Sequence, residues 1–584
     1  MNKKLLTMGL AALLMAGCSS DDVVVGGEGD NGGASAVKGY VGLTITMPTG
    51  AGSRAVEYDD GAAGEYKVND VTLVFSKWNT LSNKHDIVQV TKLTPTDWQK
   101  EGTESDEITS LSVLPVVPVA DKDADRVLVL VNSSKVFAVE SSTIDANTGE
   151  ISGNGFIAPK GKTETDAYST IEDLEVAQTI TDGGGSTEHV LDDYYGTTTG
   201  WFMTSASIKN ATNIDGNDDH KQLVKITPQN SKEAAMADAG KNVIYVERAV
   251  AKVSLTFNNA QETTKQFSLG SGTGFAGDEV TIDGWALDIT NKSTFPLRRI
   301  NTSWPDLDRF APAPAPGTAK PQRYEWSEDN NYSSYTPAAD FYRATTATES
   351  CYNSLYCLEN TFDIDNMKQD GTTRAILRGQ YVPSGIDQTE VNDHGIFRLG
   401  ESVTFYKQAD MLAKVKAAVV ASGAVAEGDI QSVEVQNPKV GKADFTYNGA
   451  QNKIVVTKTG GSTVDLSGKI DAIKGMLGQL TYYEKGYCYY PVRIRHFADT
   501  SNPGYADGVS AWNAGNTYNS DEAWLGRYGV VRNNSYVINV TSVKAPGSPT
   551  IPEPTQNIDD EEFYYIQATV KVLSWTKRSQ NVEL

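Results

Sequence analysis

"VIYVERAVAKVSLTF", residues 243–257, is dense in Val, Ile, Tyr, Thr and Phe, the composition of β-structure. It lies near the middle of a 584-residue chain, which is long enough for two or more domains with substantial cores. Similar runs stand on both sides of it. "YVGLTITMP" (40–48), "DVTLVFS" (70–76), "RVLVLVN" (126–132) and "WFMTSA" (201–206) precede it. "GWALDITN" (284–291), "RAILRGQYVP" (374–383), "YCYYPVRIRHF" (487–497) and "NNSYVINVTSV" (533–543) follow. Turn residues separate these runs and helical periodicity is scarce; "ADMLAKVKAAVVASG" (409–423) is its clearest instance. The expected fold is therefore mostly β: two β-sandwich-like (transthyretin or Ig-like) domains with few short helices. We place them at 55–247 and 248–545.

Both ends of the chain depart from this pattern. "MNKKLLTMGLAALLMAGCSS" has two lysines, an apolar run too short to span a bilayer and small residues before a cysteine. Met15-Ala16-Gly17-Cys18 reads as a bacterial lipobox, with signal peptide 1–17 and a lipid carried by Cys18 at a membrane surface. Residues 18–39 form a Gly/Ser-rich leash. A strand then occupies 40–54, where Val41, Leu43, Ile45 and Met47 share one face and a small-residue loop carries Arg54 and Ala55. At the other end, "KAPGSPTIPEPTQNIDDEE" (544–562) has four prolines and an acid run, which favours extended, poorly packed chain over 546–563. After it, 564–584 reads as one more strand, with Ile566, Ala568, Val570 and Val572 alternating with Gln567, Thr569 and Lys571, and Trp575 near its end.

Net charge is −23, and the first 54 residues hold equal numbers of acids and bases. Such an acidic chain excludes nucleic acid or an anionic membrane surface as an electrostatic partner, since phosphate contacts need clustered Lys and Arg. The five histidines are scattered, and no nucleophile elbow, phosphate loop or dinucleotide fingerprint occurs. "NIDGNDDH" (213–220) and "DIDNMKQDG" (363–371) lack the closing glutamate of a calcium loop and read as acidic turns. No catalytic residue, metal or cofactor is expected, and the chain reads as a non-enzyme. Cys488 shares a strand face with Tyr490, Val492 and Ile494 and reads as a buried thiol; Cys351 and Cys357 either pair in a loop or stay free.

The lipobox, the strand followed by an arginine loop, the proline arm and the terminal strand together make the chain similar to the fimbrillin-type (type V) pilins of the Bacteroidales. It resembles above all the shaft subunits of the minor-fimbrium type. The likeness is sharpest in "LTITMPTGAGSRA" (43–55), "VERAVAKVSL" (246–255), "VVRNNSYVINVTSVK" (530–544) and "ATVKVLSWTKRSQNVEL" (568–584). The resemblance implies a lipoprotein precursor at the outer membrane, cut by an arginine-specific, gingipain-like protease between Arg54 and Ala55. It implies that the displaced strand (Val41, Leu43, Ile45, Met47) is replaced by a donor strand (Ile566, Ala568, Val570, Val572, Trp575) from another subunit. It also implies partners: copies of this chain, tip and anchor subunits, and a host or bacterial receptor that no residue identifies. The rival reading is a surface glycan-binding lipoprotein of a nutrient-uptake system, which would bind through exposed aromatics among the 9 Trp and 27 Tyr.

Overall fold

In a computed structural model the chain is mostly β, with 41% strand, 16% helix and five short helices among the described residues. The residues described are 39–46, 58–59, 67–94, 98–101, 110–113, 117–145, 151–177, 200–209, 223–239, 242–258, 262–270, 274–300, 322–323, 326–496, 525–559 and 566–575. Cys18, Met47, Arg54, Ala55 and the 213–220 segment lie outside them.

Val71–Asn79 and Lys84–Leu93 form a hairpin whose turn ends at Asn83 in the left-handed region (φ 54°), which asparagine tolerates better than most residues. From this edge a nine-stranded sheet runs 84–93, 71–79, 126–131, 203–205, 243–248, 44–46, 110–113, 98–101, with 224–225 paired beside 126–131. Its core gathers Val71, Leu73, Phe75, Leu128, Leu130, Phe202, Met203 and Ile244. The chain breaks at Ala249 and re-enters as Val250–Phe257 in a different sheet, ordered 355–358, 250–257, 534–543, 566–575, 58–59. A four-stranded sheet of 266–268, 279–288, 374–382 and 487–493 faces it. Val253, Leu255, Ile538 and Val540 from one sheet and Ile282, Leu377, Tyr381 and Tyr490 from the other share one core. These are β-sandwich domains.

A third core forms between strands 374–382 and 487–493, which are neighbours in the four-stranded sheet. Strands 396–399, 480–483 and 441–443 pack with helices Gln408–Ala421 and Ile470–Leu477 around Phe397, Met411, Val415, Phe445, Val456, Ile473 and Leu480. The 409–423 periodicity is thus the core face of a helix. A two-domain reading leaves this insert unseen, because each of its short strands looks like its neighbours in sequence.

One expectation needs correction, and one open alternative is resolved. The proline arm is extended but packed. Ser548 exchanges two backbone hydrogen bonds with Tyr489 (2.7 and 3.1 Å), while the Tyr490 and Tyr483 hydroxyls donate to the carbonyls of Ala545 (3.1 Å) and Gly547 (3.3 Å). Arg374 donates to the Pro552 carbonyl, and Asp370 N and Gln369 N donate to the carbonyls of Thr555 (3.1 Å) and Asn557 (2.9 Å). Proline removes donors but leaves every carbonyl free to accept, and this strap is fastened mainly through carbonyls. Of the two alternatives for Cys351 and Cys357, the structure has the free thiols, both buried; desolvation pushes them up to about 11 and about 12. Cys488 is likewise a buried free thiol, pushed up to about 11 by burial.

Candidate strand-exchange site

The first strand is not continuous. Gly39–Val41 pairs antiparallel with Val117–Val119, whereas Thr44–Thr46 lies inside the nine-stranded sheet, parallel to Val243–Tyr245 and antiparallel to Ser110–Ser112. Val41, Leu43 and Ile45 are fully buried in the N-terminal core. At roughly 1.5–3 kcal/mol for each buried Val, Leu or Ile side chain, they anchor the segment firmly. Gly42 is buried as well, because the chain from Pro228 to Ala239 passes over this segment.

The C-terminal strand lies in the other domain. Ile566–Trp575 runs antiparallel to Asn534–Val543, with Val572, Val570 and Ala568 in register with Tyr536, Ile538 and Val540, and Ile566 with Val543. The residues it faces in register are core residues. Along its other edge only Ser574 and Trp575 are paired among the described residues, with Tyr58 and Asp59. Among the described residues, then, 566–573 have no partner along that edge, while Thr44–Thr46 is bonded on both sides. The two strands that alternate alike in sequence occupy different sheets of the same chain.

Strand Val243–Arg248, which receives Thr44–Thr46, ends in a buried ionic cluster that the sequence reading missed. Arg298 lies 3.4 Å from Glu247 and donates to Glu359 Oε2 (2.7 Å); Arg532 Nε lies 3.4 Å from Glu359 Oε1 and its backbone N–H donates to Oε2 (3.2 Å). Arg532 also donates to Thr294 Oγ1 (2.8 Å) and to the Phe295 carbonyl (2.9 Å). Beside them Asn533 N donates to the Val250 carbonyl (2.8 Å), and its side-chain oxygen accepts from Arg248 N and Nη1 (both 3.3 Å). The stretches 246–255 and 530–544 thus meet here, where the chain crosses from one sheet to the next. A charged "VER" and "VRNN" flanked by apolar runs was the available signal.

Burial alone would raise the Glu359 carboxyl, but Arg298 and Arg532 outweigh it and hold the group at about 2, below its ordinary 4.5. A depressed carboxyl stabilises the fold above its unfolded value, and that contribution disappears as pH falls from about 4.5 towards about 2. Glu359→Gln should remove it at every pH and leave two buried guanidinium groups short of counter-charge. The expected loss is about 3–5 kcal/mol, read by urea unfolding at pH 7. A variant within error of wild type would show that the cluster contributes no net stability.

Residues 481–581 match the family model for the C-terminal part of fimbrillin, the major fimbrial subunit protein type IV. The match spans the strands 487–493 and 534–543, the strap and the strand 566–575. No curated protein matches the chain in sequence. Among solved structures the chain is similar to a candidate cell-adhesion protein of Parabacteroides distasonis, with 11% identity, TM-score 0.36, and 93% of this chain and 99% of that one covered. It is also similar to a fimbrillin of Porphyromonas gingivalis (14%, TM-score 0.34, 93% and 100%). The C-terminally truncated tip fimbrial protein Mfa3 of the same organism gives 10%, TM-score 0.25, 92% and 100%.

Proposed function

We propose that the chain, which carries a fimbrillin C-terminal region and has the fold class expected of a fimbrial subunit, is the shaft pilin of an adhesive surface fimbrium. It is made as a lipoprotein anchored through Cys18 at the outer membrane. It is cut after Arg54, loses the strand bearing Val41, Leu43, Ile45 and Met47, and accepts residues 564–584 of another copy in that place. Its role is structural and not enzymatic.

One observation carries this reading. Thr44–Thr46 of the first segment is bonded on both sides within the nine-stranded sheet, whereas among the described residues 566–573 of the last strand are bonded along one edge only. Moving the last strand into the vacated place gives it neighbours on both sides along the stretch now held by Thr44–Thr46. Each added ladder hydrogen bond contributes about 1 kcal/mol, and donor-strand addition is an established form of β-augmentation. The extra row offsets the cost of lifting the strand from its own domain.

A glycan-binding surface would group exposed aromatics. Among the described residues the large exposed aromatic side chains are Trp78, which packs against His85, and Tyr352, which lies beneath Lys265. They belong to different halves of the chain. The direct test is to treat lipid-free precursor with an arginine-specific protease and examine it by negative-stain microscopy. Filaments are expected; a clipped monomer overturns the proposal. On cells, Cys18→Ala should abolish palmitate labelling and surface filaments, and normal labelling would refute lipidation at that residue.

A further inference from the structure

Gly39 and Gly42 are the points at which the first strand meets the chain that covers it. A Cβ on Gly39 would stand 2.6 Å from the Cβ of Pro228. One on Gly42 would stand 2.2 Å from the carbonyl oxygen of Ala235 and 3.0 Å from the Cβ of Ala239. Real Cβ atoms do not approach below 3.0 Å, so glycine alone fits both places while the cover is closed. The cover is also clasped to the strand. Tyr40 and Gln229 exchange backbone hydrogen bonds (both 2.8 Å), Thr44 Oγ1 donates to the Ala239 carbonyl (3.1 Å), and Asn242 Nδ2 donates to that of Gly42 (2.9 Å). On its other side the strand sends Val41, Leu43 and Ile45 into the core. It is enclosed above and below.

The strand that would replace it is chemically different at these points. No glycine occurs anywhere in 559–584. In the register that places Ile566, Ala568, Val570 and Val572 where Val41, Leu43, Ile45 and Met47 stand, Gln567 takes the position of Gly42 and Tyr564 that of Gly39. A flexible side chain could rotate aside, but the atom nearest Gly42 is a backbone oxygen. It belongs to the helix Lys232–Asp238, which is capped by Ser231 accepting from Ala234 N (3.2 Å), so it cannot swing aside without displacing helix backbone.

We infer that Pro228–Ala239 is the lid of the acceptor groove, locked shut by the two glycines of the first strand and held open by the strand of a second copy. The inference rests on the donor-strand reading above for its second half only. The lid gives the groove its selectivity. A strand with glycine at both points lies under a closed lid, and one without them must displace the helix to enter. Loss of the first strand thereby changes the surface of the subunit as well as its sheet.

Hydrogen exchange of peptides covering 228–239 tests both halves. In uncut precursor, Gly42→Ala should make the helix amides exchange about tenfold faster, through easier local opening. Gly39→Ala, whose neighbour is a side chain, should do so more mildly and serves if the first variant does not fold. Unchanged exchange in a folded variant overturns the lid. In filaments of wild-type protein the same peptides should exchange faster than in precursor, and Gln567→Gly should restore part of the protection. Filaments whose lid exchanges as slowly as the precursor's overturn the inference while leaving the donor-strand reading intact. Cut protein that forms no filament overturns that reading instead, and the precursor variants then decide the lid alone.

Discussion

Arg54→Ala yields a folded, surface-delivered precursor that keeps residues 40–54 and forms no filaments. The reason lies in where the two ends of that loop are held. Thr44–Thr46 is bonded on both sides within the N-terminal sheet, and Tyr58–Asp59 pairs with Ser574 and Trp575 in the C-terminal one. The loop containing Arg54 therefore links the two domains, and small residues around a lone arginine suit proteolysis. While it is intact, a departing first strand stays tethered at high effective concentration and returns to its own groove faster than another copy can fill it. Cutting removes the tether. The expected change in filament yield is from abundant to none, scored by microscopy of cells. N-terminal sequencing of wild-type filaments should begin at Ala55. A different first residue, or filaments from the alanine variant, would refute Arg54 as the release point.

Val570→Asp should terminate growth. Period-two alternation puts Val570 among the apolar positions of the last strand, and in the uncut chain it registers with Ile538, a core residue. A carboxylate entering the acceptor groove at this position must be buried unpaired or protonated. The precursor should remain folded, since its two principal cores do not depend on this strand alone. It should be cut after Arg54 and still accept a wild-type strand. Mixed at one part in ten, it should limit filaments to lengths on the order of ten subunits, because each incorporated copy fails to donate. Lys571→Asp, one residue along, should leave lengths near wild type. Equal shortening by both variants would show that 564–584 does not join subunits with this face inward.

The β-rich architecture was legible in the sequence because alternation and turn chemistry are local properties. Val41, Leu43 and Ile45 could be named as apolar partners from spacing, and they are buried; the C-terminal fimbrillin match lies over two of the four stretches that carried the resemblance, 530–544 and most of 568–584. The tertiary structure decided what depends on contacts between distant residues. It placed the alternating terminal strand on Asn534–Val543 of its own domain, a choice that alternation cannot make, since both sheets offer apolar faces at the same period. It also divided the first strand at Gly42–Leu43, where the approach of Ala235 sets the limit. The proline strap is held down because Arg374, Tyr483 and Tyr490, remote in sequence, supply donors to carbonyls that proline leaves available. Glu247, Arg298, Glu359 and Arg532 read separately as ordinary surface charges; only folding brings them together out of water, where mutual neutralisation decides whether they can stay.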